Sequence, residues 1–256
     1  MKLNQSKCHF ITCGVPCTDE HLWLKVGDEI IWESQSEKLL GVMIDKRLNF
    51  NEHLRKLCKK VNQKVSALAR IVKILPFDKR HLILKTFIES QFTYCPLVWM
   101  FCSPSMNNRI NRIHERALRL VYLDYTSSFK ELLVKDNSLS FHDRNIHQVA
   151  IEMYKVKHKL SPAFMGEMFE EITQTNRSGI KFHRPNVRTV KRGERSLRNY
   201  GPILWNEMLP ENLKKSETLD AFKESIKKWK PERCPCELCK LRVKGVGYVK
   251  TCTCCA

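Results

Sequence analysis

At Asn51 the chain changes its hydrophobic period. Leu54, Leu57, Val61, Val65, Leu68, Val72 and Leu75 recur at intervals of three and four residues. That spacing places side chains on one face of a helix that turns 100° per residue. Arg55, Lys56, Lys59, Lys60, Arg70 and Lys73 fall on the other face. Asn51 suits the N-cap, and Pro76 stops the helix. A chain built around such a helix is mainly α from this point on.

Before Asn51 the pattern is that of strands. Cys8 to Thr12 is a short apolar run, and Leu22, Leu24 and Val26 alternate with Trp23 and Lys25. Gly27-Asp28 is a turn signal between this segment and a second strand, Glu29 to Trp32. Lys38 to Ile44 reads as a third. These strands are too few to make a stable domain alone, so this is a small β portion of a sheet that looks cut off.

After Pro76 the helical period returns. The pattern predicts a helix from Asp78 to about Tyr94 that buries Leu82, Ile83, Phe87 and Ile88. It predicts another from Ser105 to Tyr122 with Met106, Ile110, Ile113, Ala117, Leu120 and Val121 inward. On that helix Arg109, Arg112, Arg116 and Arg119 lie within an arc of roughly 80°, beside the apolar face. Ser128 and Glu131 have the spacing of a capping box for a short helix, Phe129 to Val134. Ser140 opens a longer one to about Leu160, with Ile146, Val149, Met153 and Val156 inward, and Pro162 ends it. Thr173 to Lys191 is polar and basic, and reads as a linker or mobile loop. Pro202 to Leu209 and Thr218 to Trp229 read as two more helices, followed by the cysteine-rich segment CPCELCKLRVKGVGYVKTCTCCA.

A chain of 256 residues suggests one to two domains, and 43% hydrophobic content fits an ordered protein. Charge is the outlier: 45 Lys and Arg against 27 Asp and Glu give +18. Such an excess points to a polyanion, most simply nucleic acid. MKLNQSKCHF lacks the apolar core of a signal peptide, and the longest apolar run, Tyr94 to Cys102, is about nine residues where a membrane span needs roughly 20. The expectation is a nuclear or cytoplasmic protein that is not secreted and has no membrane partner. Its 12 cysteines are then mostly reduced.

Several blocks carry a resemblance. KLLGVMIDKRLNF (Lys38 to Phe50), ESQFTYCPLVWMF (Glu89 to Phe101) and NNRINRIHERALRLVY (Asn107 to Tyr122) occur in that order. AIEMYKVKHKLSP (Ala150 to Pro162) and YGPILWNEMLP (Tyr200 to Pro210) follow. Together they resemble the C-terminal half of jockey-like non-LTR (LINE) retrotransposon reverse transcriptases, where the palm passes into the thumb. LNQSKCHF (Leu3 to Phe10) resembles the last conserved palm segment. The resemblance implies a palm remnant over 1–50, a thumb-like helical domain over 51–172, a basic linker over 173–199, C-terminal helices over 200–230 and a Cys-rich tail over 231–256. It also implies RNA-directed DNA synthesis, for which the family uses a Tyr-X-Asp-Asp turn and an upstream Asp to hold two Mg²⁺ ions. No Asp-Asp pair occurs in this sequence, so no catalytic residue is carried over and Mg²⁺ is expected only in the full-length family. The chain is read as starting too late to contain those aspartates and as inactive in polymerisation alone.

Guanidinium forks suit phosphate oxygens, which makes Arg109, Arg112, Arg116 and Arg119 the first candidates for binding RNA or an RNA–DNA duplex. The basic face of the first long helix, with Lys56, Lys59, Lys60 and Lys73, is the second. The plain alternative for both is a solvated helix face, with Glu115 as partner of the arginines. Cys234, Cys236, Cys239 and Cys252 have spacings that could close a tetrahedral zinc site; the alternative is reduced, unliganded thiols. His114, His142 and His147 read as ordinary surface or boundary histidines, and Cys58 and Cys95 as inert thiols on apolar helix faces. Trp99, Phe101, Trp205 and Trp229 read as core. No Gly-rich phosphate loop occurs, and no small-molecule substrate is expected. Two further functional classes stay open: a non-catalytic, zinc-stabilised interaction protein, and a transposon relic without function.

Overall fold

A computed structural model describes residues 4, 7–13, 22–172, 180–188, 193–194 and 196–229. The β portion consists of two separate hairpins. Strand β1 (Trp23–Val26) pairs antiparallel with β2 (Glu29–Trp32), and β3 (Ser36–Leu39) with β4 (Val42–Asp45). The Lys38 to Ile44 run, expected as one strand, is thus a hairpin. Leu40 and Gly41 form its two-residue turn, both at positive φ (46° and 89°), the combination that reverses a strand with matching twist. Tyr94 fixes this turn, its hydroxyl donating to the Leu40 carbonyl. A Cβ on Gly41 would touch the Tyr94 ring at 3.4 Å. Glu33 links the β portion internally, accepting from the Thr12 N–H and from Lys46.

Strand β4 feeds helix α1 (Asn51–Ile71) through Asp45. The Asp45 carboxylate accepts from the N–H groups of Arg47, Asn49 and Phe50 at 3.1, 3.3 and 2.8 Å. Because the turn is held this way, Phe50, in the left-handed region (φ 54°), precedes the helix and Asn51 is its first residue rather than its cap. Leu54, Val61, Val65, Leu68 and Val72 are buried as the period requires.

Helix α2 (Phe77–Ile83) continues as a π-helical turn (Leu84–Ile88) and a 3₁₀ turn (Glu89–Phe92). Its inward face differs from the expectation. Leu84, Ile88 and Phe92 are buried, while Leu82 and Phe87 are 53% and 58% exposed. The π turn underwinds the helix and keeps residues four apart near one line. The face it turns inward carries Lys85 and Glu89. The chain then passes through α3 (Pro96–Trp99), α4 (Pro104–Tyr122), α5 (Phe129–Lys135) and α6 (Phe141–Lys157). The α4 apolar set is buried throughout. The Ser128–Glu131 capping box is formed, and Ser140 caps α6 through the Asp143 N–H. Cys95, expected on an apolar face, is exposed in a left-handed bend before α3.

Glu89 is the polar centre of this body, only 5% exposed. Arg144 of α6 grips it with two N–H groups at 2.7 and 3.1 Å. His114 Nε2 of α4 lies at 3.2 Å and Lys85 Nζ at 3.2 Å. Lys85 also reaches Asp136 at 2.8 Å, which receives the Tyr122 hydroxyl at 3.0 Å and lies 3.1 Å from His81. His114 is fully buried, and His142 and His147 are buried too, so the surface reading of all three is corrected. The apolar positions around them were legible, but the carboxylate and the backbone carbonyl that make burial of an imidazole tolerable come from other segments: Glu89 for His114, the Trp229 carbonyl for His147.

The second half packs on the other side of α6, ten of whose 17 residues are buried. Helix α7 (Ala163–Met168), strands β5 (Glu171–Ile172) and β6 (Lys181–Phe182), helix α8 (Leu197–Ile203) with a π turn (Leu204–Met208), α9 (Glu211–Lys214) and α10 (Leu219–Lys228) complete it. Within the stretch read as a linker, Phe182 is fully buried. Asn206 bonds both its N–H and its carbonyl, and Trp205 Nε1 donates to Ile180. This piece therefore belongs to the second core. Trp99 and Trp205 are buried, and Phe101 and Trp229 pack against that core, as expected. Among the described residues no helix is long and apolar enough to cross a membrane.

Two measurements follow from this packing. Burial works against ionisation of Glu89, but hydrogen bonds from His114 and Arg144 and the Arg144 charge outweigh it and hold its pKa well below the ordinary 4.5. Burial holds His114 below its ordinary 6.5, as the neutral form. The stability owed to Glu89 is present above pH 4.5 and is lost as pH falls toward its folded pKa. The unfolded chain also takes up a proton at His114 below pH 6.5, which the fold resists. The midpoint of urea unfolding is therefore expected to fall steadily from pH 7 to pH 4, and Glu89→Gln, which leaves Arg144 unpaired, to cost about 3 kcal/mol at neutral pH. Gly201→Ala would ordinarily gain up to about 1 kcal/mol in a helix. Here the new Cβ would lie 2.6 Å from Met153 Sδ and 3.2 Å from Phe169, so thermal melting is expected at lower temperature than in the parent chain.

Candidate nucleic-acid interface

Helix α4 is buried over most of its circumference by α1, α2, α5 and α6. Its exposed residues are Ser105, Arg109, Arg112 and Arg116. They sit at i, i+4, i+7 and i+11, a single stripe along the helix. Solvent thus meets α4 mainly through guanidinium groups. The one acidic residue of the helix, Glu115, is buried and bound by Arg119 at 2.7 Å.

Arg119 departs from the stripe. It is half-buried, and besides Glu115 it donates to the carbonyls of Tyr125 at 3.1 Å and Ser127 at 3.3 Å. Asp124 completes this bend, accepting from the Ser127 N–H and Oγ and from Lys135, which together hold its carboxyl far below the usual range. Arg119 and Asp124 shape the connection from α4 to α5. The fold uses the Arg119 fork three times, which leaves it a positioning group rather than an outward one.

Two contacts orient the stripe against α1. Arg116 donates to Ser66 Oγ at 3.3 Å. Arg109 lies close enough to Cys58 for its charge to act on the thiol. Burial pushes that thiol up to about 11 and the guanidinium pulls the other way, which agrees with an inert Cys58. On α1 itself, Lys56, Lys59, Lys60 and Lys73 are all exposed. Lys56 is paired with Glu52 at 2.7 Å, and Lys73 lies just past the helix end. Lys64, on the opposite flank, is taken by the fold. It donates to the Phe87 carbonyl at 3.1 Å and covers the Phe87 ring.

The zinc candidates Cys234, Cys236, Cys239 and Cys252 lie outside the described residues. Among the described residues no group of three or more His, Cys, Asp and Glu side chains could hold a metal ion. No family model, curated protein or solved structure matches this chain.

The site residues that sequence reasoning passed over are structural partners. Glu89 sits among Ile88, Ser90 and Gln91 with nothing local to mark it as buried; the signal is its i, i+4 spacing to Lys85, which is weak alone. Arg119 and Arg116 should separate in a stability measurement. Arg119→Ala is expected to lower the free energy of unfolding by about 1–2 kcal/mol, the range for charge-assisted hydrogen bonds at a partly exposed site. Arg116→Ala should stay within about 0.5 kcal/mol of the parent. Equal losses in urea titrations would contradict the division of labour described above.

Proposed function

We propose that this chain is the C-terminal part of a non-LTR retrotransposon-derived reverse transcriptase. It binds RNA or an RNA–DNA duplex through phosphate contacts and does not polymerise on its own. The observation that carries the binding half of this reading is the exposed face of α4, where Arg109, Arg112 and Arg116 stand in one line. Arginine forks on a rigid helix recognise phosphate geometry without reading bases. The net charge of +18 supports a polyanionic partner. The family half rests on the ordered sequence blocks, which coincide with structural units. KLLGVMIDKRLNF spans most of the β3–β4 hairpin and the Asp45 turn, ESQFTYCPLVWMF the passage into α3, and NNRINRIHERALRLVY the body of α4.

No polymerase chemistry is assigned to any residue, because the sequence contains no Asp-Asp pair to hold two metals. Zinc bound by Cys234, Cys236, Cys239 and Cys252 remains a part of this proposal that the metal content of the purified chain would check.

The test is titration of an RNA–DNA duplex at several salt concentrations, with the parent chain and an Arg109→Ala/Arg112→Ala/Arg116→Ala variant. Three phosphate contacts contribute about −3 to the slope of log affinity against log salt. The parent is expected to show a steep slope that flattens by about that amount in the variant. Salt-insensitive or absent binding by a folded parent chain would remove the nucleic-acid reading. Extension of a primed template with Mg²⁺ and deoxynucleotides would remove the inactive one.

A further inference from the structure

The stripe on α4 does not stand alone. Helices α1 and α4 run in the same direction, since Cys58 neighbours Arg109 and Ser66 neighbours Arg116. With one α1–α4 contact fixed at Ser66, helical geometry assigns the rest of α1. The buried line through Val61 and Val65 has two flanks. Lys64 lies on one, facing the carbonyl of Phe87, and His53, bonded to Met43 of β4, shares that side. Ser66 lies on the other, so that flank borders the arginines of α4. Counting at 100° per residue, Arg55 and Lys59 fall within roughly 20° of Ser66. Arg70 falls roughly 40° away. Lys56 and Lys60 fall roughly 80° and 120° from Ser66, over the outer back and toward the Lys64 flank.

Level along the axis agrees with phase. Arg55 and Lys59 bracket Cys58, beside Arg109. Arg55 and Lys59 are exposed, as are Arg109, Arg112 and Arg116. The sole acidic residue of α1, Glu52, is engaged by Lys56. The sole one of α4, Glu115, is engaged by Arg119. The fold has therefore gathered cations from two rigid, parallel helices onto one seam.

We propose that the α1–α4 seam is a track for a polynucleotide backbone. Phosphates of one strand run along it between Arg55 and Lys59 on one side and Arg109, Arg112 and Arg116 on the other. Lys56 and Lys60 lie off this track. The inference rests on the nucleic-acid reading above and sharpens it. It adds Arg55 to the interface and takes two basic residues of the same helix out of it, although their charge is the same. A polynucleotide held only by net charge would not distinguish the two pairs. A backbone held along a seam must, because phosphate contacts need the cation within direct reach.

The experiment compares two charge-matched variants, Arg55→Ala/Lys59→Ala and Lys56→Ala/Lys60→Ala, with the parent chain and the α4 triple variant. The probe is a short RNA–DNA hybrid of mixed sequence, titrated by fluorescence anisotropy at several salt concentrations. Circular dichroism melting confirms that each variant folds, as exposed sites on α1 should allow. The seam pair is expected to weaken binding on the order of 10-fold and to flatten the salt slope by about 2, while the back pair leaves both near the parent. Equal effects of the two pairs would overturn the track in favour of diffuse charge. An effect of the α4 triple variant with none from the seam pair would also overturn it and leave α4 binding alone. Failure of the parent chain to bind would bring down the parent reading together with it.

Discussion

The fold hangs on a buried carboxylate. Glu89 sits where α2 ends in its 3₁₀ turn, and three basic groups from three elements converge on it: Arg144 of α6, His114 of α4 and Lys85 of the π turn. A charge in that position is costly unless every lone pair is matched. Meeting that requirement determines the rest. It turns the Lys85–Glu89 face inward and pushes Leu82 and Phe87 out to solvent. It pins α6 against α4 and extends through Lys85 to Asp136 at the end of α5, and from there to Tyr122 of α4 and His81 of α2. The neutral His114 fits the same logic. Its Nε2–H donates to Glu89, the buried Nδ1 has no hydrogen-bond partner among the described residues, and the ring packs against Phe129 and Phe141.

Helix α6 then acts as a wall shared by two cores. Phe141 at its start belongs to the core built by α1, α2 and α4, with Phe92 packed on it at 4.6 Å between ring centres. From Ile146 onward its apolar residues belong to the second core with Phe182, Trp205 and Phe222. Gly201 lets α8 approach closely enough for Met153 to fill the space a side chain would take. Because α4 is enclosed by these neighbours, it meets solvent mainly along the line of Ser105, Arg109, Arg112 and Arg116.

Local signals carried far in this chain where a residue and its consequence lie within one turn. The Ser128–Glu131 box, the Ser140 cap and the apolar face of α4 were all legible because their partners are three or four residues away. Readings that depended on a distant partner diverged. Lys38 to Ile44 looked like one strand because the turn at Leu40-Gly41 is secured by Tyr94, 54 residues on. His114 and His147 looked like boundary residues because Glu89 and the Trp229 carbonyl are remote in sequence. Thr173 to Lys191 looked polar enough to be a linker, yet one aromatic, Phe182, with the amide of Asn206 ties the part at Ile180–Phe182 into a core.

For the candidate interface the same division holds. Neighbouring residues are enough to specify a mainly helical, strongly basic chain with arginines and lysines on the flanks of two amphipathic helices. Periodicity, charge and capping are properties of neighbouring residues. The amino-acid sequence by itself could not say which arginine faces outward, since Arg119 differs from Arg116 only in having Glu115 and the carbonyls of Tyr125 and Ser127 within reach. Nor could it say which flank of α1 meets α4. Only the tertiary structure decided that, because the rotation of one helix against another is set by the side chains between them and by a long-range contact such as Arg116 to Ser66.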